Sequence, residues 1–146
     1  MKKLKMIKLV DFPEGLDEKN IIKHFFNLSQ LEATKMIADE TPYPCTVYTE
    51  DLMWMAEEGF AYYFPSYVAA CKILHHQKGI EYVEDFYSGI LTAIAFRAEE
   101  FPRSIENNKE IVIEYINFLE TEAEKMLSDE VYINKILKIK TLLNNG

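Results

Sequence analysis

A cysteine and a histidine one helical turn apart are the first pair of residues that could do chemistry. Cys71 and His75 are four positions apart, so their side chains can touch on one face of a helix. A base beside a thiol can generate a nucleophilic thiolate. Small buried cysteines are also common in helix cores. The apolar helical face that carries Cys71 favours the core interpretation, and catalysis by this pair stays the alternative.

Two carboxylates next to a group of tyrosines form the second candidate set. Glu57 and Glu58 precede Tyr62 and Tyr63 in the chain. A carboxylate held among aromatic rings has a raised pKa and can act as a general acid. The sequence offers no nucleophile or oxyanion donor to work with it. Together with Tyr67, the same tyrosines are candidate binding residues if the aromatic cluster lines a cavity.

The other titratable residues predict neither a metal site nor a cofactor. The adjacent His75 and His76 point about 100° apart on a helix, which disfavours a shared metal ion. Both are explained by the negative end of the helix dipole. His24 is interpreted as a partly buried helix residue. Three acids at i, i+3 and i+4 could bind a hard cation or do acid–base work, but a solvated first helical turn explains them better. These acids are Glu81, Glu84 and Asp85.

The acidic composition limits the partners and the location that we expect. A net charge of -8 disfavours nucleic acid, whose phosphates need clustered Lys and Arg, and is compatible with a basic protein partner. Cys45 and Cys71 lie far apart and no secretory signature precedes them, so we expect reduced thiols in a cytoplasmic protein. No stretch approaches the roughly 18 apolar residues of a membrane span, so no membrane association is expected. These patterns leave the oligomeric state open.

Length and composition predict a single all-α domain over residues 1–146. A chain of 146 residues is typical of one domain with one core, and 49% hydrophobic residues suffice to fill that core. Five glycines and five prolines supply few turns for a β-sandwich. We therefore expect a bundle of six or seven helices. Residues 1–12, with four lysines among the first eight, predict a short basic arm or edge strand. This arm could clamp an acidic surface of the protein itself or of a partner.

The stretch Thr49–Leu74 is the predicted hub of the core. Acids directly after Thr49 predict that a helix begins there. Pro65 lacks an amide proton and disfavours the α conformation at the residue before it. This predicts two helices, over 50–63 and 65–77, with a single kinked helix as the alternative. Each buried aromatic side chain removes on the order of 150–250 Å² from water, so the aromatic cluster should dominate the core. Its principal members are Trp54, Phe60, Tyr63 and Tyr67.

Apolar spacing and capping signals predict further helices on both sides of this hub. They cover residues 18–27, 29–38, 81–98, 108–127 and 128–143. Ser29 and Glu32 have the spacing of a capping box, and Ser128 is the predicted cap of the last helix. Two closely spaced prolines predict an extended loop over 41–44 that carries Cys45 and Tyr48. The short break near 128 predicts an antiparallel helical hairpin over 109–143.

The segment Leu52–Tyr67 resembles the central motif of a bacterial domain family of unknown function, F-x-Y-Y-[LF]-P-x-[FY]. The matching positions, with one preceding acid, are Glu58, Phe60, Tyr62, Tyr63, Pro65 and Tyr67. The chain departs from the family's Ala, Arg, Leu and Ala at Gly59, Ala61, Phe64 and Ser66. Ile111–Leu119 is similar to a later helical segment of the family, so the resemblance covers about half the chain. It implies a helical bacterial protein and assigns no functional residue.

Two functions from different classes are compatible with these patterns. The first is a non-enzymatic domain that masks a basic protein, by loose analogy with immunity or antitoxin partners. Its association would depend strongly on salt. The second is a small enzyme that uses either the Glu57, Glu58, Tyr62 and Tyr63 cluster or the Cys71 and His75 pair. We expect the first, because the sequence contains no complete catalytic set.

Overall fold

The computed structural model describes residues 24–25, 27–40, 45–77 and 83–145. Across these ranges the chain forms seven α helices and one 3-10 turn, with no strand, which confirms the all-α fold. The N-terminal arm, most of the helix over 18–27 and the loop over 41–44 lie outside the described residues. The helices are α1 (Gln30–Glu40), α2 (Cys45–Trp54), α3 (Glu57–His76), α4 (Val83–Glu100), α5 (Pro102–Glu106), α6 (Lys109–Glu122) and α7 (Glu130–Asn145), and the 3-10 turn is Met126–Ser128.

Helix α3 is the centre of the fold, and its aromatic side chains fill the core. It packs against α1, α4, α5 and α6, while α2 lies on α4, and α7 lies on α4 and α5. Phe60, Tyr63 and Tyr67 are completely buried. Trp54 is half-buried, and its ring centroid lies 5.1 Å from that of Phe96 in an edge-on arrangement. The prediction of an aromatic hub is therefore confirmed.

The predicted break at Pro65 is wrong, and the alternative of a single helix through Pro65 is confirmed. Helix α3 runs without interruption from Glu57 to His76, and Pro65 lies inside it. A proline inside a helix costs about 3 kcal/mol, yet ten buried α3 residues on both sides of it hold the helix in one piece. The chain breaks earlier, at Met55 and Ala56, between α2 and α3. Tertiary packing thus overrides the local preference that proline imposes.

The predicted start of the first hub helix is also wrong. Helix α2 begins at Cys45, so Tyr48 lies in a helix rather than in a loop. Thr49 is not a cap but a buried residue inside α2. The apolar residues between Cys45 and Trp54 are not confined to one face of the helix, because α2 is buried on more than one side. A helix of this kind is difficult to recognise from spacing alone.

Short-range capping was predicted correctly at one helix and misplaced by one residue at another. The amide of Glu32 donates to Oγ of Ser29 at 3.1 Å, and the amide of Ser29 donates to Oε1 of Glu32 at 2.9 Å. This confirms the capping box. At α7 the cap is Asp129 rather than Ser128, since Oδ1 of Asp129 accepts the amide of Val131 at 2.9 Å.

The two C-terminal helices are present with altered bounds. Helix α6 ends at Glu122, earlier than the predicted 127, and a 3-10 turn separates it from α7. Helix α7 packs mainly on α4, and Nζ of Lys140 joins it to Oε2 of Glu120 on α6 at 2.8 Å. Their pairing as a hairpin unit stays a prediction.

Gly89 allows α2 to approach α4 closely. A Cβ atom at this position would lie 2.9 Å from Cγ2 and 3.0 Å from Oγ1 of Thr49. Non-bonded carbon atoms have their optimal separation at about 3.5–4.0 Å, so a side chain here would force the helices apart. The glycine in the middle of α4 is thus explained by close helix packing rather than by a turn.

We expect Gly89→Ala to lower the free energy of unfolding by about 1 kcal/mol, because overpacking of about 1–3 kcal/mol exceeds the helix-propensity gain of about 1 kcal/mol. Urea unfolding followed by circular dichroism measures the change. The neighbouring Ser88→Ala is the control in the same helix. Adding Thr49→Ala to Gly89→Ala removes the two nearest atoms and should recover most of the loss. A Gly89→Ala variant more stable than the native protein would contradict the close approach.

Candidate functional site

An open groove lies between α3 and α6, which run side by side in the same direction. Its wider part has a volume of about 570 Å³ and is lined by Lys72, His75, His76, Glu114, Asn117, Phe118, Thr121 and Glu122. Phe118, only 8% exposed, forms an apolar floor under this polar rim. A second depression of about 410 Å³ lies nearer the start of both helices and is lined by Ala61, Pro65 and residues 106–111. Together they make a long, shallow surface.

One ion pair and one imidazole–carboxylate contact cross the groove from α3 to α6. Nζ of Lys72 lies 2.5 Å from Oε2 of Glu114, and Nε2 of His75 lies 3.0 Å from Oε2 of Glu122. The side chains in both pairs are between one-third and one-half exposed. Ion pairs this exposed contribute little to stability, typically below about 1 kcal/mol. They can therefore be exchanged for contacts with another molecule at small cost.

Negative charge is in excess along this surface. The residues that line the two depressions include four glutamates but only two lysines. The glutamates are Glu106, Glu110, Glu114 and Glu122, and all four are exposed. A rim of this kind over an apolar floor suits a positively charged protein surface, because complementary charges steer the encounter.

The structure separates the two members of the cysteine–histidine pair. Cys71 is completely buried in the core, and burial raises the pKa of its thiol well above the ordinary value. His75 instead lines the groove, with its ring 5.7 Å from that of Phe118. A thiol that is protonated at neutral pH and excluded from water is a poor nucleophile. These observations favour the core interpretation of Cys71.

The carboxylates of the second candidate set have different surroundings. Glu57 accepts hydrogen bonds from Nη2 of Arg97 at 3.1 Å and from the hydroxyl of Ser104. Glu58 is exposed on the surface of α3. The carboxylate of Glu57 is therefore engaged by a cation and by a hydroxyl group. Its contacts indicate a structural role.

The partner of Glu57 is a buried arginine that sequence reasoning missed. Arg97 is 1% exposed, and its Nη1 donates to the carbonyls of Leu52, Met53 and Met55 at 3.1, 3.1 and 2.6 Å. Its guanidinium lies 4.4 Å from the ring centroid of Phe60, in cation–π geometry. One feature of the sequence does indicate that Arg97 is buried. It follows Ile94 by three positions and so continues the apolar face of α4. Arg97 thus satisfies the carbonyl groups where α2 ends.

Burial lowers the pKa of Arg97 to about 10, and the charge of Glu57 opposes that shift. The guanidinium therefore remains charged at neutral pH. Its Nε also donates to Oγ of Ser104 at 2.9 Å. One buried cation thus joins the end of α2, the start of α3, the end of α4 and the short helix α5.

Two of the three candidate binding tyrosines, Tyr63 and Tyr67, are packed in the core. The hydroxyl of Tyr63 donates to the carbonyls of Phe25 at 2.9 Å and Leu28 at 2.7 Å. The hydroxyl of Tyr67 donates to the carbonyl of Tyr48 at 2.5 Å. Tyr62 is half-buried, and its ring stands edge-on to Tyr63 at 4.9 Å. The buried hydroxyls join α3 to the segment before α1 and to α2.

An imidazole and a buried carboxylate also meet at the surface of α2. Nδ1 of His24 lies 2.5 Å from Oδ2 of Asp51, whose side chain is 4% exposed against 20% for His24. The ring of His24 stands edge-on to Tyr48 at 5.2 Å. A carboxylate that holds one ring nitrogen fixes the tautomer and leaves the other nitrogen for a further contact. Sequence reasoning placed His24 correctly as partly buried, but missed a partner 27 positions away.

Within residues 24–25, 27–40, 45–77 and 83–145, no group of three or more His, Cys, Asp or Glu side chains is arranged to hold a metal ion. Glu84 and Asp85 are exposed in the first turn of α4, whereas Glu81 lies outside those ranges. None of the described helices combines the length and the apolar character that crossing a membrane requires.

In comparisons with known proteins, no family model, no curated protein and no solved structure matches the chain.

Proposed function

We propose that this protein is a non-enzymatic binding domain whose acidic α3–α6 groove docks a partner protein with a basic surface. The observation that carries the proposal is the groove itself, with four glutamates and two lysines around an apolar floor. In this proposal the domain masks its partner in the bacterial cytoplasm, as an immunity or antitoxin protein would. The resemblance of Leu52–Tyr67 to a bacterial family motif is consistent with that setting.

The shape of the groove supports a protein ligand over a small molecule. Sites for small molecules are concave and bury most of the ligand surface. The α3–α6 groove is shallow and open and follows two helices over several turns. Protein interfaces commonly combine a small apolar centre with a polar rim that exchanges water on binding. Phe118 and the charged residues around it have this arrangement.

The net charge of the chain supports a basic partner in particular. With a net charge of -8, the protein as a whole attracts positively charged molecules. The groove places four of its carboxylates along one surface. Steering of this kind raises association rates by about 10–1,000-fold and weakens as ionic strength rises. The partner should therefore bind tightly at low salt and be released at high salt.

Affinity capture with matched charge variants tests the proposal. The native chain, the groove variant Glu114→Lys/Glu122→Lys and the control variant Glu50→Lys/Glu100→Lys are immobilised and exposed to extract of the native organism. Both variants carry the same net charge, and the control residues are exposed but lie outside the groove. We expect a basic protein that binds the native chain and the control, and that the groove variant retains at least about tenfold less.

Two outcomes would contradict this function. One is that no protein is retained by the native chain at low salt. The other is that the retained protein binds the groove variant as tightly as the native chain when both are purified and titrated by calorimetry. Circular dichroism of the three proteins separates a loss of binding from a loss of folding.

A further inference from the structure

A second stripe of side chains runs along α7 outside the core. The core-facing positions of this helix include Ile136 and Ile139, which are 5% and 0% exposed. Ile133 and Leu137 are instead 41% and 55% exposed, although both are large and apolar. They are four positions apart and therefore neighbours on one face of the helix. Together they form a small apolar patch on the outer face of α7.

Charged residues extend this stripe at both ends. Glu130 precedes Ile133 by three positions, and Lys140 follows Leu137 by three. With 100° per residue, all four side chains fall within about 80° of the helix circumference. The steps of three, four and three are the spacing of helix–helix seams. We call these four residues, Glu130, Ile133, Leu137 and Lys140, the α7 stripe.

The α7 stripe is complementary to itself when turned end for end. The positions of Glu130 and Lys140 are symmetric about residue 135, and so are those of Ile133 and Leu137. An antiparallel copy of the helix, related by a two-fold axis beside residue 135, would bring Ile133 against Leu137 of the second copy. The same operation sets Glu130 against Lys140 of the second copy. Both contacts then occur twice, as an isologous interface requires.

We propose that two copies of this protein associate through antiparallel packing of their α7 stripes. The occupant of the surface is a second copy because acid, apolar, apolar and basic positions match in this order only when the direction is reversed. Lys140 already pairs with Glu120 of α6 at 2.8 Å, and its side chain is 43% exposed. Its ammonium group has three donor protons, so it can contact Glu130 of the second copy without releasing Glu120. None of the four stripe residues lines the α3–α6 groove, and the association is independent of the function proposed above.

Sedimentation equilibrium over a range of protein concentrations tests the association. We expect the average mass of the native protein to rise towards that of two chains, and Leu137→Glu to weaken association at least about tenfold. Val131→Glu is the matched control, because Val131 is also 55% exposed on α7 but points away from the stripe. It should associate like the native protein.

Charge reversal tests the antiparallel geometry itself. Glu130→Lys and Lys140→Glu each create like-charge contacts twice in a dimer and should each weaken association about tenfold. A mixture of these two variants forms a heterodimer in which both contacts again join Lys to Glu, so association should return to within about threefold of the native value. Circular dichroism confirms that each variant is helical before mixing.

A native protein that stays monomeric at every concentration would overturn the proposal. Equal effects of Leu137→Glu and Val131→Glu would do the same, because only one of them lies in the stripe. If the native protein dimerises but the mixture of charge variants does not recover, the stripes do not meet in the antiparallel register.

Discussion

Replacing Arg97 by methionine is expected to lower the free energy of unfolding by about 3–5 kcal/mol, because several buried carbonyl groups lose a charged donor. The substitution leaves the carbonyls of Leu52, Met53 and Met55 without the donor that now satisfies them. It also leaves Glu57 beside the hydroxyl of Ser104 without a cation. Each buried acceptor that loses its donor adds about 1–3 kcal/mol of desolvation cost. Urea unfolding at neutral pH measures the total.

Two further variants separate the charge of Arg97 from its geometry. Arg97→Lys keeps the positive charge but replaces the planar, five-donor guanidinium by a single ammonium, so we expect an intermediate loss of about 2 kcal/mol. Glu57→Gln leaves the guanidinium without its counter-ion but keeps the carbonyls of α2 as acceptors, so its loss should be smaller than that of Arg97→Met. An Arg97→Met variant within 1 kcal/mol of the native protein would show that the end of α2 is held by other contacts.

Alkaline pH is expected to unfold the protein cooperatively between about pH 11 and 13. Burial raises the pKa of Tyr63 to about 12, and it raises those of Tyr67, Tyr87 and Tyr115 as well. The folded-state pKa lies above the unfolded value of 10.0, so the unfolded chain loses these protons first. The corresponding stability is present in full below pH 10 and is lost as pH rises through the folded-state values.

The size of the effect follows from proton linkage. Each tyrosine that is ionised only in the unfolded state lowers the stability by about 1.4 kcal/mol per pH unit, so four of them give a slope of about 5 kcal/mol per pH unit. A typical total stability of 5–15 kcal/mol would then be exhausted within about one to three pH units. Each phenolate would also face the carbonyl to which its hydroxyl now donates, such as that of Tyr87 in the case of Tyr115 at 2.6 Å.

Tyrosinate absorbance and helical circular dichroism, recorded on the same samples, test this prediction. We expect the buried tyrosines to ionise in the same narrow interval in which the helix signal disappears. Tyr63→Phe should lose stability at neutral pH, because two hydrogen bonds are missing, while its slope against pH falls by about a quarter. If the helix signal persists after every tyrosine has ionised, the tyrosine hydroxyls are accessible to water in the folded protein, which would contradict their burial.

The fold class, the aromatic hub and the local cap of α1 can all be predicted from the order of the amino acids. Apolar residues at helical spacing and few glycines or prolines restrict the backbone to helices, whatever their arrangement. Phe60, Tyr63 and Tyr67 were identifiable as core residues because large aromatic side chains gain most from leaving water. The Ser29 and Glu32 box was readable because both partners lie within one turn of the chain. These interactions depend on neighbours in sequence.

The end of α2, the tolerance of Pro65 and the role of Arg97 depend on contacts between distant parts of the chain. The Arg97 contacts join residues more than 40 positions apart, and the match of Gly89 to Thr49 depends on how closely two helices pack. The α3–α6 groove and the exposed face of α7 likewise exist only once the helices are placed. A helical pattern states which face of a helix is apolar, but not which neighbour covers it. Burial, charge pairing and access to a partner are therefore set by the packing of the whole chain.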